Sequence, residues 1–243
     1  MHISPALIST ILNAKHITLL TGAGVSQESG IPTFRDRLTG YWENYDPEEL
    51  ATRAAFKKQP DIVWQWYAAR RRLIEQSQPN AAHYGIVRLE SVVGQLDLIT
   101  QNVDDLHERA GSREVTHLHG SIFSARCFAC GRPHAHSAND QASPPRCLHC
   151  GGTLRPGVVW FGEDLPAPSW HKAKRAAASC SVFICIGTSG IVTPASTLPL
   201  IASQNRATVI DINTEYTEIS RLARFSVQAR AGEFFSQLCQ NLK

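Results

Sequence analysis

No stretch of this 243-residue chain approaches the roughly 18 consecutive apolar residues that a membrane-spanning helix needs. The opening segment, MHISPALISTILNAKH, lacks a basic n-region and a small-residue cleavage site, and no arginine precedes Arg35. Neither a secretory leader nor a mitochondrial presequence is indicated, so a cytoplasmic protein without a membrane partner is expected. A surplus of charge of one sign is also missing, because 24 Lys plus Arg face 21 Asp plus Glu for a net charge of +3. That balance argues against a polycation built to coat nucleic acid, and no direct nucleic-acid partner is expected. With 43% apolar and 19% charged residues, the chain has enough material for a core and does not read as disordered.

The length exceeds the usual single domain of about 150 residues, yet α/β chains of this size are often one large domain carrying an insertion. Leu7, Ile8, Ile11 and Leu12 recur at helical spacing and predict an amphipathic helix. Four later segments share another pattern, a short apolar run rich in β-branched residues that stops in small or polar residues. They are HITLLTGAG (16–24), LDLITQNVDD (96–105), SVFICIGTSG (181–190) and ATVIDINTE (207–215). Apolar runs without alternation suit strands buried on both faces, and the intervening segments are long enough for crossover helices. The fold class is therefore α/β, a parallel sheet with helices on both faces. Ligands of such sheets sit at the carboxyl ends of the strands, where these four runs converge on Gly, Ser, Thr, Asn, Gln and Asp.

The first loop, GAGVSQESG, fails the dinucleotide fingerprint G-x-G-x-x-G. Gly22 and Gly24 fit, but Gln27 takes the third position and no acidic residue follows a second strand about 20 residues on. An ordinary Rossmann dehydrogenase is thereby disfavoured. Two uses of the glycines stay open, close approach of the backbone to a pyrophosphate or a tight turn needing positive φ.

Cysteine is more informative. Cys127 and Cys130, then Cys147 and Cys150, form C-x2-C-x16-C-x2-C, with Gly131 and Gly151 placed for knuckle turns. Four thiolates at this spacing predict a closed structural Zn(II) site, the alternative being disulfides, which a reducing compartment disfavours. His134, His136 and His149 are weaker ligand candidates, expected to be exposed. Cys180, Cys185 and Cys239 lie in apolar contexts and are expected to pack as small hydrophobes.

The stretch WQWYAARRRL (64–73) places Tyr67 three residues before Arg70, so phenol and guanidinium share one face of a predicted helix. Taken alone, it reads as a solvated arginine face with Trp64, Trp66 and Tyr67 supplying core or rim. Arg71 and Arg72 are expected to turn outward.

Seven segments, GAGVSQESGIPTFRD, TQNVDDLHERAG, LHGS, the cysteine quartet, LRPGVVWFGEDLP, GTSGIVTPAS and DINTE, run in the same order as in the sirtuins, and the chain closely resembles that family from Gly22 to Glu215. The resemblance implies an NAD-dependent protein lysine deacylase of bacterial type, in the branch that removes succinyl and malonyl as well as acetyl groups. It implies a Rossmann-like part at about 1–35, 85–120 and 155–243, a helical insertion at about 36–84 and a zinc module at about 121–154. The partner would be an acylated lysine peptide, and the protein a monomer without long regulatory tails.

Site roles follow from the same resemblance. Gly22, Ala23 and Gly24 would hold the NAD phosphates, with Phe34 and Arg35 closing over the nicotinamide side. Gln101, Asn102 and Asp104 would line the nicotinamide and ribose pocket. Gly187, Thr188 and Ser189 would contact phosphate and ribose, Asn213 and Glu215 the adenosine ribose, and Ala231 the adenine. His119 of LHGS would be the general base, acting with Asn102 in catalysis, although its neighbours alone also allow a satisfied core histidine. His117, two residues before His119, reads as structural. The run VVWFGE, with Val159, Phe161 and Gly162, would pair with substrate peptide as an added strand. Tyr67 and Arg70 would face the acyl chain, since a buried carboxylate needs a paired cation and a guanidinium can bond it in two places. The rival functions are an ADP-ribosyltransferase, a zinc-stabilised NAD sensor without turnover, and a thiol-based zinc adaptor.

Overall fold

The computed structural model describes residues 3–33, 46–135 and 143–242. Phe34, Arg35 and His136, named above, lie outside these described residues. Strands β1 (Ile17–Thr21), β2 (Leu96–Thr100), β3 (Val115–His117), β7 (Val182–Ile186), β8 (Thr208–Asn213) and β9 (Phe225–Gln228) form one sheet in the order β3-β2-β1-β7-β8-β9. Every pairing is parallel. All five residues of both β1 and β7 are buried, as their unbroken apolar runs require. The four strands expected from sequence are all present. The short edge strands β3 and β9, three and four residues long, were not among them, because runs of that length carry too little periodicity to read.

Helices cover both faces. On one side α1 (Pro5–Leu12), α6 (Ala81–Val92) and α11 (Ala231–Cys239) bury Leu7, Ile11, Ile86, Leu89, Phe234 and Phe235 against Leu19, Ile184 and Ile210 of the sheet. On the other, α8 (Ala167–Ser179) and α9 (Leu198–Gln204) pack Ala173, Ala177, Leu198 and Ala202 against Leu20, Phe183 and Val209. The small alanines of α8 let that helix approach closely. Each fully buried Leu, Ile or Phe contributes on the order of 1.5–3 kcal/mol.

A second region lies beside the sheet. Strands β4 (Gly120–Cys127), β5 (Pro133–Ala135) and β6 (Leu154–Val158) make a small antiparallel sheet in the order β5-β4-β6, and the two cysteine knuckles sit at its end. Helices α3 (Pro47–Leu50), α4 (Arg53–Lys58) and α5 (Pro60–Gln76) complete it. Helix α5 starts on Pro60 with Asp61 in its first turn, and stops where Ser77 donates both its N–H and its hydroxyl back to Leu73. Val63, Trp66, Tyr67, Arg70 and Ile74 recur along one buried face, and the apolar members meet Phe56, Ile122, Val158 and Trp160. Helix α6 begins on Asn80, whose side chain caps Ala82 N–H while His83 Nδ1 accepts Asn80 N–H. That helix packs with α11 on the main sheet, so the expected edge of the helical insertion near residue 84 falls inside a continuous helix. Among the described residues no helix is long and apolar enough to cross a membrane.

One expectation about α5 is corrected. Arg72 is exposed, but Arg71 is buried, with its guanidinium 5.8 Å from the centre of the Trp64 ring and Nε donating to the Ile122 carbonyl at 3.2 Å. A planar guanidinium can lie along an aromatic face and still satisfy a strand carbonyl, so the aromatic residues draw it inward.

Candidate active site

Strands β1, β2 and β7 end level, with Thr21 opposite both Thr100 and Ile186. From β1 the chain order runs outward to β2 and β3 on one side and to β7, β8 and β9 on the other. The crevice above that reversal is where open α/β sheets bind ligands. A cavity of about 1140 Å³ lies there and continues under α5 and past β6. Every catalytic, cofactor-binding and substrate-binding residue expected from sequence that lies within the described chain lines it, whereas the four cysteines form a cluster of their own elsewhere.

The floor is built from backbone packed on backbone. Gly22 N–H donates to Ile186 O and Gly24 N–H to Gly187 O, each at 2.9 Å. A Cβ on Gly22 would sit 2.7 Å from the Gly187 carbonyl, and one on Gly24 2.8 Å from Gly187 Cα. Neither glycine has positive φ, so the tight-turn reading fails, and what requires glycine in this structure is backbone packed on backbone. The approach is to the neighbouring loop of Gly187, Thr188 and Ser189, with Ala23 facing the cavity between. Thr188 Oγ1 accepts from Gln101 Nε2 at 2.8 Å, and Asn213 Nδ2 donates to Thr188 O at 2.9 Å. The ends of four strands are thus tied to one another. Exposed Glu215 and buried Ala231 border the far end, where Glu28 Oε2 accepts from Gly232 N at 2.7 Å.

Above the floor, Asn102 Nδ2 donates to Ser26 Oγ at 3.0 Å and Ser26 Oγ donates to Asp104 Oδ2 at 2.9 Å. Burial raises the Asp104 carboxyl from its ordinary value against the opposing hydrogen bonds of Leu106 N–H and Ser26. Both of its oxygens are engaged, so Asp104 serves this chain as the terminal acceptor that fixes the Asn102 amide. His119 follows β3, with Nδ1 2.8 Å from the Gln101 carbonyl. That contact calls for the proton on Nδ1 and leaves Nε2 as the free base. Burial lowers the His119 pKa, only partly offset by Gln101, so the ring is neutral at pH 7.

The other half of the cavity is built from long side chains. Tyr67 Oη accepts from Trp160 Nε1 at 3.0 Å, and burial raises the phenol so that it stays a neutral donor. Arg70, one turn on, is buried against the Trp66 ring at 5.1 Å and reaches to 3.5 Å from the Pro32 carbonyl. The run from Val158 to Glu163 continues β6, with Val159 N–H donating to His119 O at 2.8 Å and Phe161 N–H to Ala51 O at 3.0 Å. Its end is set by Glu163. One oxygen takes Arg155 Nη1 at 2.5 Å and Arg53 Nη1 at 3.2 Å, and the other takes Arg126 Nη2 at 2.8 Å and Trp160 N–H at 3.0 Å. Arg155 is 1% exposed and lies 3.2 Å from the centre of the Trp160 ring. Desolvation brings its pKa down to about 10 despite the Glu163 partner, so it is charged at neutral pH.

None of the seven cysteines is disulfide-bonded. Sulfurs of Cys127 and Cys150 lie 3.5 Å apart, those of Cys130 and Cys147 3.8 Å apart, and all four within 4.8 Å of one another. A tetrahedron with Zn–S bonds of about 2.3 Å has edges of about 3.8 Å, so the donor set fits zinc. Donation from Cys130 N–H, at 3.4 Å, brings the Cys127 thiol down to about 6. At Cys150 the Gly152 N–H acts in the same direction, but the crowded sulfurs outweigh it and push the thiol up to about 12. Four thiolates cannot share this space without a cation. His149 is exposed as expected. His134 corrects the expectation, being half-buried with Nε2 3.2 Å from Cys147 Sγ, where it can donate to a thiolate. Of the remaining thiols, Cys180 and Cys185 are buried and Cys239 half-buried.

A model of the Sir2 family matches residues 22–194. This chain belongs to that family. A Methylococcus capsulatus protein named NAD-dependent protein deacylase is 45% identical over 251 residues, covering 100% of this chain and 98% of the relative. An Archaeoglobus fulgidus relative, NAD-dependent protein deacylase 1, is 47% identical over 238 residues, covering 98% and 97%. Among solved structures, a complex of a Sir2 homologue with NAD superposes with a TM-score of 0.93 at 46% identity, over 99% of this chain and 94% of that one. A Sir2–p53 peptide–NAD+ complex superposes at 0.85 with 26% identity, over 99% and 98%.

Residues of this Sir2 site that sequence reading missed are the second layer. Ser26 lies in a quoted segment, but nothing in GAGVSQESG says that its hydroxyl links Asn102 to Asp104. Glu163 and Arg155 are eight residues apart around a turn, and Arg53 and Arg126 come from elsewhere. Such partners have no local signal.

Proposed function

We infer that this protein is an NAD-dependent protein lysine deacylase that yields nicotinamide, free lysine and an O-acyl-ADP-ribose. The single observation that carries the reading is the convergence in one cavity of a backbone-lined floor, a buried amide at Asn102, a neutral imidazole at His119 and the Tyr67–Arg70 pair. Bound NAD supplies an activated ribose carbon from which nicotinamide departs as the acyl oxygen bonds to it. Gly22, Ala23, Gly24, Gly187, Thr188 and Ser189 hold its phosphates and adjoining ribose. Asn213, Glu215 and Ala231 hold its adenosine end, and Gln101, Asn102 and Asp104 its nicotinamide end, with Phe34 and Arg35 assigned to the same side from sequence. His119 Nε2 takes the proton from a ribose hydroxyl, a task suited to a base whose partner on Nδ1 fixes the tautomer. Val159, Phe161 and Gly162 receive the peptide backbone. Cys127, Cys130, Cys147 and Cys150 hold one Zn(II) ion, which closes the knuckles and leaves no position for a reacting water.

The acyl group is the finer part of the proposal. Arg70 and the neutral Tyr67 hydroxyl line the cavity together, which supports an acyl chain ending in a carboxylate, such as succinyl or malonyl, alongside acetyl. With it go the expectations of a cytoplasmic monomer acting on acylated proteins, with neither membrane nor nucleic acid as a partner. The test is mass spectrometry of succinyl-, malonyl- and acetyl-lysine peptides incubated with NAD. Loss of each acyl mass with matched nicotinamide release is expected. Nicotinamide release with the acyl group retained would point to ADP-ribosyl transfer, and NAD binding without turnover to a sensor.

A further inference from the structure

Asn102 is gripped from three sides, and two of the grips run through α7 (Leu106–Ala110), the LHER segment that the reaction leaves unused. The side chain is held by Ser26 and Asp104. The backbone N–H donates to Thr100 Oγ1 at 3.0 Å, and that oxygen also accepts from Thr21 Oγ1 at 2.8 Å, which lies 3.0 Å from His107 Nε2. The carbonyl lies 3.2 Å from His117 Nδ1, and His117 Nε2 lies 2.7 Å from Glu108 Oε1. A carbonyl and a carboxylate are both acceptors, and only the imidazolium carries a donor on each ring nitrogen.

We propose that Glu108, acting through a protonated His117, is a positioning residue that holds Asn102 in the reaction cleft, which links turnover to a second histidine besides His119. The consequence for turnover rests on the deacylase reading, whereas the brace rests on the geometry alone.

The surroundings agree with a charged ring. Burial would lower the His117 pKa, but the Glu108 hydrogen bond and charge, with the Asn102 carbonyl and Asp104, outweigh it and raise it. Glu108, which burial alone would raise, is brought below its ordinary value by His117. The other facing groups are Asp104, in the loop after β2, and His107 on α7, whose pKa burial lowers well below the ordinary value, with His83 and His117 adding to the effect, so that it stays neutral. Val115, on the same side of β3 as His117, packs with the α6 and α11 core, while Leu118 packs with the alanines of α8. The charges of α8 therefore lie across the sheet from His117. Because the folded pKa of His117 is raised and that of Glu108 is lowered, the brace is intact between those two values and is lost as pH rises through that of His117. A neutral ring must then set a lone pair against either the Asn102 carbonyl or the Glu108 carboxylate.

Two readouts separate this proposal from the deacylase reading. In NMR titrations, the Asn102 side-chain amide signal is expected to move with the His117 midpoint in the wild type, and with a lower midpoint in Glu108→Gln. In kcat/KM profiles, the alkaline limb is expected to shift to lower pH in Glu108→Gln and to vanish in His117→Gln. The acid limb set by His119 should stay in place, and kcat should fall about tenfold or more while KM for NAD changes less, since misplacing a reactive group costs rate before binding. Glu114→Gln, which removes an exposed pair with Lys172, serves as a control with both limbs unmoved. An Asn102 signal indifferent to the His117 titration, or superposable profiles for wild type and Glu108→Gln, would overturn the brace. A wild type inactive on every acyl peptide would overturn the deacylase reading, and the NMR titration would still decide the brace.

Discussion

The two halves of the cleft are made in different ways. The half proposed above to take the nucleotide, the nucleotide half for short, is mostly backbone and short polar side chains at strand ends, held by the register of a parallel sheet. The half proposed to take the acyl chain, the acyl half for short, is made of long side chains, with Tyr67 on Trp160, Arg155 under Trp160 and three guanidiniums on Glu163. Backbone placed by a buried sheet has nowhere to move, so that half is rigid because of what surrounds it. In the acyl half, rigidity depends on each charged group keeping its partner, and one substitution can release several others.

The largest contrast comes from the metal site that anchors the acyl half. Chelation, or Ser in place of any one of Cys127, Cys130, Cys147 or Cys150, is expected to lower the melting temperature sharply and to cost activity through loss of the fold. Structural zinc supplies apparent binding free energy on the order of 10 kcal/mol. Purified protein found free of zinc by elemental analysis would break this contrast.

Next comes Glu163→Ala, which strands Arg155 in a site where it is 1% exposed. A buried charge stripped of its partner costs about 3–5 kcal/mol, so denaturant melts should show a loss of that size together with a raised KM for peptide. If stability changes by no more than an exposed pair is worth, about 1 kcal/mol, the three-arginine cluster is a surface feature.

In the nucleotide half, His119→Ala is expected to leave folding and NAD binding nearly intact and to lower deacylation about a hundredfold or more. Burial lowers the His119 pKa, so the base form persists below pH 6.5 and the acid limb of kcat/KM should fall below that value. Activity is lost only as pH falls through the lowered pKa. A limb above pH 6.5 would assign it to another group.

The smallest effects divide the acyl half by chemistry. Arg70→Met should reduce desuccinylation about ten- to a hundredfold, the worth of one charged hydrogen bond, while acetyl peptides stay within a few-fold. Tyr67→Phe should act in the same direction more mildly. Equal losses on both acyl groups would mean that the pair serves packing.

Local pattern made the first half legible. A parallel strand buried on both faces must be an apolar run, and its end must turn, so HITLLTGAG and SVFICIGTSG name both the sheet and its rim. The cysteine knuckles are legible for a similar reason, since two short turns can present four thiols only at fixed spacing. Arg71 misled because an arginine beside others reads as solvated, whereas Trp64 and the Ile122 carbonyl gave it a place inside. Edge strands β3 and β9 were too short to declare themselves.

The sequence by itself determined the four central strands of the sheet, the metal knuckles, the family and many of the residues that line the cleft, because each depends on residue type at short spacing. Tertiary structure alone decided which groups support them. Ser26 meets Asp104, 78 positions away, and Trp160 meets Tyr67, 93 positions away, because the crossover connections and the insertion bring those segments together. Hydrogen-bond partners at such separations are chosen by packing geometry, and a polar residue's type limits what it can bond without naming its partner.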